Sequence, residues 1–442
     1  MRDRGSFRLP RRFAATDALK VGAAEPQDVN DNDRAIVGLV MLAHGLVHTY
    51  ELSIPILVGI WLVQFPVTEA AIGVAVTVGT AFFGFGALPG GLLADAYGSK
   101  RLIVLCMLGM GASFVVLGLS GGLASITVAL SLWGIAASVY HPAGLSLISK
   151  GVDQRGTAFA YHGMAGNVGI GLGPMVTAVL LIAFDWRLVV TVLAIPAGVG
   201  ALVAATIDVD ETAAVGDDAA ATDGSGGRSA GASGSVSSLS EFLANSRRLF
   251  VGGFVVVFAI MILSGLYYRG ITTFLQQLLA DLPMLSEVTV GEITLEPSRF
   301  VYAGLLTVGI AGQYAGGKLT DRIRTEWGLA GGFGALAVVA LLFLPAASAG
   351  LVPLLVASAL LGFFLFTVQP MYQASVAEYS PPEARGLSYG YSYLAVFGVG
   401  AVGAVVAGTV LTYTSEWGLF LTFAAVAGLA SLLGLGLSLR GR

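Results

Sequence analysis

The sequence predicts an all-α integral membrane protein whose twelve transmembrane helices form two similar six-helix bundles. Only 11% of the 442 residues are charged, whereas soluble domains carry roughly 25%. Residues 102–149 and 327–377 contain no Asp, Glu, Lys or Arg. Each of these stretches is long enough to cross a hydrocarbon core about 30 Å thick twice. Several landmarks also recur along the chain at a nearly constant spacing, which indicates two related halves.

Twelve apolar runs are long enough to cross a membrane as helices, at roughly 20 residues per crossing. Their approximate cores are residues 36–64, 71–94, 102–120, 124–148, 157–183, 188–207, 249–279, 300–317, 328–347, 351–376, 387–412 and 417–438. We number them spans 1 to 12 in chain order. The segment 286–296, between spans 7 and 8, alternates apolar and polar residues and predicts a short surface hairpin.

A change of composition divides the chain between spans 6 and 7. Residues 217–218 are both Asp, and residues 224–227 read Gly-Ser-Gly-Gly, without apolar periodicity. Such a segment is typical of a flexible linker. The predicted regions are a cytoplasmic N-terminal tail 1–35, a first half 36–207, a linker 208–247 and a second half 248–442.

Three landmarks of the first half recur in the second half. The pairs are residues 91–95 with 317–321, Pro142 with Pro370, and residues 155–156 with 385–386. Their offsets are 226, 228 and 230 residues. Nearly constant offsets at three separate places indicate an internal duplication of parallel topology.

The basic residues predict the orientation of the chain in the membrane. Of the 23 Lys and Arg, only Arg187 and Arg299 fall on one side, and Arg269 falls within a span. The remaining 20 lie on the other side, which the positive-inside rule assigns to the cytoplasm. We therefore expect a multi-pass protein of the cell membrane with both termini in the cytoplasm. The N-terminal tail lacks the apolar core of a cleavable signal peptide.

The loop between spans 2 and 3 carries Gly91, Asp95, Gly98, Lys100 and Arg101. In sequence and position it resembles the signature loop of the major facilitator superfamily. The resemblance covers about residues 36–440. It implies the major facilitator fold, in which two halves rock around a central substrate site, and it implies that the loop residues take part in gating.

The equivalent loop of the second half carries Gly317, Asp321 and Arg322. Asp95 is expected to face the positive N-terminal end of span 11, and Asp321 that of span 5, when the cytoplasmic mouth is closed. An ordinary polar loop that only satisfies the topology is the alternative interpretation.

A narrower resemblance rests on short segments inside three spans. Residues 48–51 in span 1, residues 140–142 in span 4 and Arg269 in span 7 look like the fosmidomycin-resistance branch of the superfamily. That branch implies drug efflux driven by proton exchange. Residues 169–174 in span 5 are similar to the glycine–proline element of proton-coupled antiporters, although residues 177–178 depart from that pattern.

Only two formally charged residues, Glu51 and Arg269, lie inside the predicted spans. Each costs roughly 2.5–3.5 kcal/mol at the centre of a membrane helix, so such residues indicate a functional site. His44, His48 and Glu51 lie at i, i+4 and i+7 on one helix face and are expected to carry protons. Arg269 is expected to anchor an anionic group. A static structural pair between Glu51 and Arg269 is the alternative.

Polar and aromatic side chains on other spans are candidate substrate-binding residues, namely His141, Asn167, Gln369, Gln373 and Tyr391. Amides and tyrosines around one arginine suit an amphipathic or anionic organic compound. Each of these residues also fits a packing or interhelical role. No metal site is expected, because the histidines lie on three spans and no acidic or thiol partner completes a ligand set at a known spacing.

The sequence therefore predicts a secondary active transporter that exports a small organic or drug-like compound in exchange for protons. An uptake symporter or facilitator for a small organic anion is one alternative, and a non-transporting membrane sensor is another. An enzyme is not expected, and because no Walker-type loop is present, an ATP-driven pump is not expected either. The expected partners are a small-molecule substrate, protons and the lipid bilayer. No cofactor and no nucleic acid are expected, and the protein is expected to work as a monomer with the proton gradient as its energy source.

Overall fold

The computed structural model describes residues 30–215, 239–250, 252–291, 293–381 and 385–439. Within these ranges the chain is almost entirely helical. Most of the predicted N-terminal tail, the centre of the predicted linker and the last three residues lie outside the described residues.

The predicted twelve-helix architecture is confirmed. The six spans of the first half are Asp31–Gln64, Glu69–Tyr97, Ser99–Gly118, Leu123–Gly151, Arg155–Leu180 and Trp186–Thr206. The six spans of the second half are Gly253–Ala280, Pro297–Thr320, Thr325–Ala349, Leu351–Tyr379, Leu387–Tyr413 and Glu416–Leu439. Eleven of them are long and apolar enough to cross a membrane. Span 8, Pro297–Thr320, is less apolar and packs against spans 10 and 5.

Two spans are interrupted near the middle of the bundle. Span 4 consists of the helices Leu123–Ser138 and Tyr140–Gly151, which meet at Val139 just before His141 and Pro142. The proline ring cannot donate a backbone hydrogen bond, so a break in its vicinity is expected. Span 11 changes from an α-helix, Arg385–Tyr393, into a π-helical turn, Leu394–Val399, before it continues as Val402–Tyr413. Such π turns are frequent at functional sites.

Within each half, glycines allow the spans to approach closely. Gly169 and Gly173 on span 5 lie against the backbone of span 1. A Cβ atom at Gly169 would come 2.2 Å from the carbonyl oxygen of Gly45, and one at Gly173 would come 2.4 Å from that of Thr49. Only glycine fits at these positions, which is the usual way in which membrane helices pack tightly.

The two halves meet most extensively where span 2 lies against span 11. The backbone N–H of Ala70 donates to Thr412 Oγ1 at 2.9 Å, and Thr77 Oγ1 donates to the carbonyl oxygen of Ala401 at 2.9 Å. Among the described residues, every hydrogen bond and ion pair between the halves lies in the outer part of the bundle or at its middle. The outermost involves Glu69, at the predicted outer end of span 2, and the innermost involves Glu51, near the middle of span 1. The bundle is therefore closed at its predicted outer end.

Two segments between the spans add detail to the predictions. The predicted surface hairpin is confirmed, because β1, Val288–Val290, pairs antiparallel with β2, Ile293–Leu295. Both ends of the predicted flexible linker adopt defined structure. At its start, the carboxylate of Glu211 accepts hydrogen bonds from the backbone N–H groups of Ser99 and Lys100, at 2.7 and 3.0 Å. At its end, residues Leu239–Leu249 form a short helix before span 7.

The glycine contact between spans 2 and 11 generates a prediction for stability. A Cβ atom at Gly84 would lie 2.0 Å from the backbone nitrogen of Gly398 in the other half. Gly84→Val should force the halves apart and cost about 1–3 kcal/mol, the usual cost of overpacking. We expect the melting temperature of the detergent-solubilised protein to fall by a few degrees, as measured by size-exclusion chromatography after heating.

Gly198→Val on span 6 is the matched control, because a Cβ atom there meets nothing within 4 Å. Its melting temperature should stay at that of the wild type. Equal melting of the two variants would contradict the packing described here.

Candidate functional site

A buried ion pair joins the two halves at the centre of the molecule. Glu51 on span 1 and Arg269 on span 7 form a charge-assisted hydrogen bond between Oε1 and the guanidinium Nη2. The exposed fractions of the two residues are only 2% and 4%. Each helix is long, and each charged residue lies near its middle. The only two charges expected within the membrane therefore compensate each other across the interface between the halves.

Glu51 is also the end of a hydrogen-bonded chain along one face of span 1. Its second carboxylate oxygen, Oε2, lies 2.6 Å from Nδ1 of His48. Nε2 of His48 lies 3.1 Å from Nε2 of His44, and Nδ1 of His44 lies 2.6 Å from the carbonyl oxygen of His162. The structure thus brings together the three residues that the helical spacing placed on one face. The chain of contacts leads from the ion pair to span 5.

All four histidines of the protein gather in one place. We call His44, His48, His141 and His162 the histidine cluster. The rings of His44 and His162 stack with centroids 3.8 Å apart, and His141 approaches His44 edge-on at 5.1 Å. The break in span 4 presents His141 to the cluster. Tyr393, the last residue before the π turn of span 11, stacks on the ring of His141 with the ring centroids 4.8 Å apart.

Aromatic rings surround the guanidinium of Arg269. The ring centroids of Tyr268 and Phe397 lie 5.3 and 5.4 Å from its central carbon, within the range of cation–π attraction. Phe397 belongs to the π turn of span 11, so this turn supplies part of the site. The Nε atom of Arg269 is buried and has no hydrogen-bond acceptor among the described residues. The Nε–H of Arg269 is therefore without an acceptor among these residues, in addition to the bond that Nη2 makes to Glu51.

The other predicted substrate-binding residues do not all reach this centre. Asn167 and Gln369 are half-buried and Gln373 is exposed, and in the described part of the chain none of them hydrogen-bonds to the ion pair or the histidine cluster. Tyr391 donates a hydrogen bond, at 2.9 Å, to Ser246 in the short helix before span 7. The tyrosine of span 11 that contacts the cluster is Tyr393, two residues further along.

The signature loop of the first half is held within that half. Lys150, at the end of span 4, forms an ion pair with Asp95 at 2.7 Å, and Nζ of Lys100 bonds to the carbonyl oxygen of Ile207. Gly98 joins spans 2 and 3 with φ = 88°, a conformation that favours glycine. The contact of Asp95 with span 11 near Gly386 stays a prediction, because the surroundings of Gly386 lie outside the described residues.

The matching loop of the second half is open. Asp321 and Arg322 are exposed, and a Cβ atom at Gly317 would meet nothing within 4 Å. Arg101 of the first loop is exposed as well. The predicted contact of Asp321 with the start of span 5, near Gly156, therefore also stays a prediction.

Twelve long helices in two halves, eleven of them apolar enough to cross a membrane, with opposite charges buried between the halves, are the architecture of a polytopic membrane transporter. The family model of the Major Facilitator Superfamily matches residues 39–295 and 282–441. The chain therefore belongs to this superfamily, as its signature loop predicted. It is a multi-pass membrane protein of a transporter family, not of an enzyme family.

This chain spans only about a quarter of the length of the curated relatives that it matches in sequence. A 115-residue segment is 31% identical to the puromycin resistance protein pur8 of Streptomyces alboniger, covering 25% of this chain and 23% of that protein. A 143-residue segment is 33% identical to a probable actinorhodin transporter of Streptomyces coelicolor, covering 31% and 25%. A third relative is a Na(+), Li(+), K(+)/H(+) antiporter of Planococcus maritimus, 31% identical over 120 residues, or 26% of this chain and 28% of that protein.

Solved structures of the same fold cover nearly the whole chain. A bacterial homologue of the human lysosomal transporter Spinster, in an inward-facing and occupied conformation, superposes with a TM-score of 0.71. It is 14% identical, and the match covers 92% of this chain and 97% of that one. The nucleoside transporter NupG gives a TM-score of 0.67 at 15% identity, with 91% and 99% covered. At this level of identity the likeness shows the fold alone.

The buried ion pair generates a second prediction for stability. Arg269→Gln leaves the Glu51 carboxylate buried without its counter-charge, and Glu51→Gln does the same to Arg269. Removing one partner of a buried pair typically costs about 3–5 kcal/mol. We expect each single variant to melt well below the wild type in detergent, and the double variant Glu51→Gln/Arg269→Gln to regain much of the loss. A double variant that melts lower than both single variants would show that the two charges do not compensate each other.

Proposed function

We propose that this protein is a secondary active transporter that exports a small organic or drug-like compound in exchange for protons. The observation that carries the proposal is the ion pair between Glu51 and Arg269, which is buried and links the two halves. Alternating access requires a contact between the halves that forms and breaks during the cycle. The ion pair at the centre of the bundle can form and break in this way, because Glu51 is hydrogen-bonded to a row of titratable histidines.

Glu51 is proposed as the proton carrier. Its carboxylate can be compensated in three ways: by Arg269, by a proton, or by a cationic or polar group of the substrate. Because these compensations exclude one another, a proton that arrives from outside displaces the substrate, which is the requirement for exchange. His48, at 2.6 Å from Glu51, and His44 behind it are proposed to pass the proton between the carboxylate and the accessible edge of the cluster.

The names of two relatives support the direction of transport. One relative is a resistance protein for a drug and another is a cation/proton antiporter. The proposal carries both features, efflux and proton exchange, to this chain. The compound is expected to be amphipathic, because Tyr268, Phe397 and Tyr393 provide apolar rings beside the charged pair.

A second candidate function is proton-coupled uptake of a small organic anion. The observation that favours it is the buried Nε of Arg269, a donor with no acceptor in the described part of the chain. An anion on Arg269 would release Glu51, and the released carboxylate would need a proton to stay neutral in the membrane. Anion and proton would then cross the membrane in the same direction, whereas in exchange they cross in opposite directions.

The contacts between the halves also suggest which side of the membrane the central site faces. The two halves touch at the predicted outer end, so the state described here is proposed to be open toward the cytoplasm, with both termini on that side of the cell membrane. When the cytoplasmic mouth closes, Asp95 and Asp321 are proposed to leave their present positions and bind the starts of spans 11 and 5. The protein is proposed to work as a monomer, because the central site is built from a single chain.

The decisive experiment measures proton flux in proteoliposomes that contain a pH-sensitive dye. Cationic, neutral and anionic organic compounds are added to the wild type, to Glu51→Gln and to Glu287→Gln, in which an exposed carboxylate of the outer loop is neutralised as a control. We expect substrate-evoked proton flux in the wild type and the control, and at least a tenfold loss of that flux in Glu51→Gln.

The sign of the flux separates the two candidates. Protons that move against the compound indicate exchange, whereas protons that move with an anion indicate symport. Transport of a compound without proton flux, unchanged in Glu51→Gln, would refute the proton-carrier role of Glu51. Binding without transport of any kind would favour the sensor.

A further inference from the structure

The protonation of two cluster histidines follows from their hydrogen-bond partners. The carbonyl oxygen of His162 and the ion-paired carboxylate of Glu51 can only accept hydrogen bonds. His44 and His48 therefore each carry a proton on Nδ1, which donates to these acceptors at 2.6 Å. Each ring then presents the lone pair of Nε2, and the two Nε2 atoms lie 3.1 Å apart. Two facing lone pairs repel each other at this distance unless a cation lies between them. That cation is either a proton or a metal ion.

A third ring nitrogen points to the metal ion. One nitrogen each of His44, His48 and His141 lies within 4.8 Å of the other two. Both ring nitrogens of His141 are buried and have no hydrogen-bond partner in the described part of the chain. A buried polar group without a partner is costly, and one shared proton cannot satisfy three rings. A metal ion between the three nitrogens would.

The spacing is close to that of a tetrahedral metal site. Zn–N bonds of about 2.0–2.1 Å separate the ligand nitrogens by about 3.3–3.4 Å. The Nε2 atoms of His44 and His48 already have nearly this separation, and the nitrogen of His141 lies within 4.8 Å of both ligand atoms.

The surroundings of the rings also match those of metal-binding histidines. A histidine that binds a metal through one nitrogen almost always donates its other N–H to a carboxylate or a backbone carbonyl, which fixes the ring and its tautomer. His48 donates to the carboxylate of Glu51, and His44 donates to the carbonyl of residue 162. Both kinds of support are therefore in place before any ion binds.

We propose that His44, His48 and His141 form a binding site for a late divalent transition-metal ion such as Zn²⁺ or Co²⁺. Neutral imidazoles suit these ions, whereas Mg²⁺ and Ca²⁺ require oxygen ligands. The site could not be recognised from spacing along the chain, because its ligands come from spans 1 and 4. It joins them at the centre of the first half, beside the ion pair.

The nearby charges predict how the affinity responds to substitution. Glu51 stabilises His48 as a ligand, so Glu51→Gln should weaken binding by about 10–100-fold, as for other residues that support metal ligands. Arg269 pairs with the same carboxylate and partly neutralises it, so Arg269→Gln should leave Glu51 more negative and tighten binding. If the proposed function holds, the same Arg269→Gln substitution should abolish transport. Metal binding and transport should therefore change in opposite directions in this one variant, which separates the metal-site proposal from the transport proposal.

The experiment uses the full-length protein in detergent, treated with a chelator and then titrated with Co²⁺. We expect about one Co²⁺ per chain and the intense visible absorption of tetrahedral cobalt, which Zn²⁺ displaces. His141→Ala and His48→Ala should lose this spectrum while remaining monodisperse on size-exclusion chromatography. Cys106→Ser is the control, because it removes the only thiol of the chain and should keep the spectrum.

Two outcomes would overturn the proposal. A folded wild type that binds neither Co²⁺ nor Zn²⁺ would mean that the two Nε2 atoms share a proton. Binding that persists unchanged in both His141→Ala and His48→Ala would place the ion elsewhere. No substrate or proton gradient is present in the assay, so neither result depends on whether the protein transports a compound.

Discussion

The electrostatic compensation of Glu51 by Arg269 is the constraint around which the centre of this protein is built. Neither charge is tolerated alone in a medium of low dielectric constant, and the two come from different halves. The pair therefore holds the halves in register at the middle of the bundle, while glycines allow spans 2 and 11 to touch further out. Whatever replaces one partner must bring a compensating charge, and this requirement couples the chemistry of the site to the motion of the halves.

The irregular parts of two helices provide the rest of the site. The break at Val139 turns His141 toward the cluster, and the π turn of span 11 places Phe397 against Arg269. Regular helices would have presented different faces at both places. Such a π turn is rare within α-helices and is frequent at functional sites. Here the turn packs directly against span 2, at the close approach of Gly84 to Gly398.

The histidine cluster and the ion pair share one residue, Glu51, and this makes their functions dependent on each other. The proposed proton path runs through the same Nε2 atoms of His44 and His48 that the proposed metal site uses. A bound ion would therefore block the path, and a protonated histidine would repel the ion. The carboxylate of Glu51 supports His48 both as a proton carrier and as a metal ligand, and it also compensates the charge of Arg269. The first half thus carries the titratable chemistry, whereas the second half contributes the fixed cation.

The sequence by itself determined the membrane class, the helical spans and the surface hairpin, because each depends on the local pattern of charge and hydrophobicity. It also identified Glu51 and Arg269, since a charge within a span stands out. The tertiary structure alone decided that His162 and Tyr393 belong to the centre and that Tyr391 does not. Those positions depend on how separate helices are rotated and where they are interrupted. Helical periodicity is a property of one segment, and it contains no information about which faces of two segments will meet.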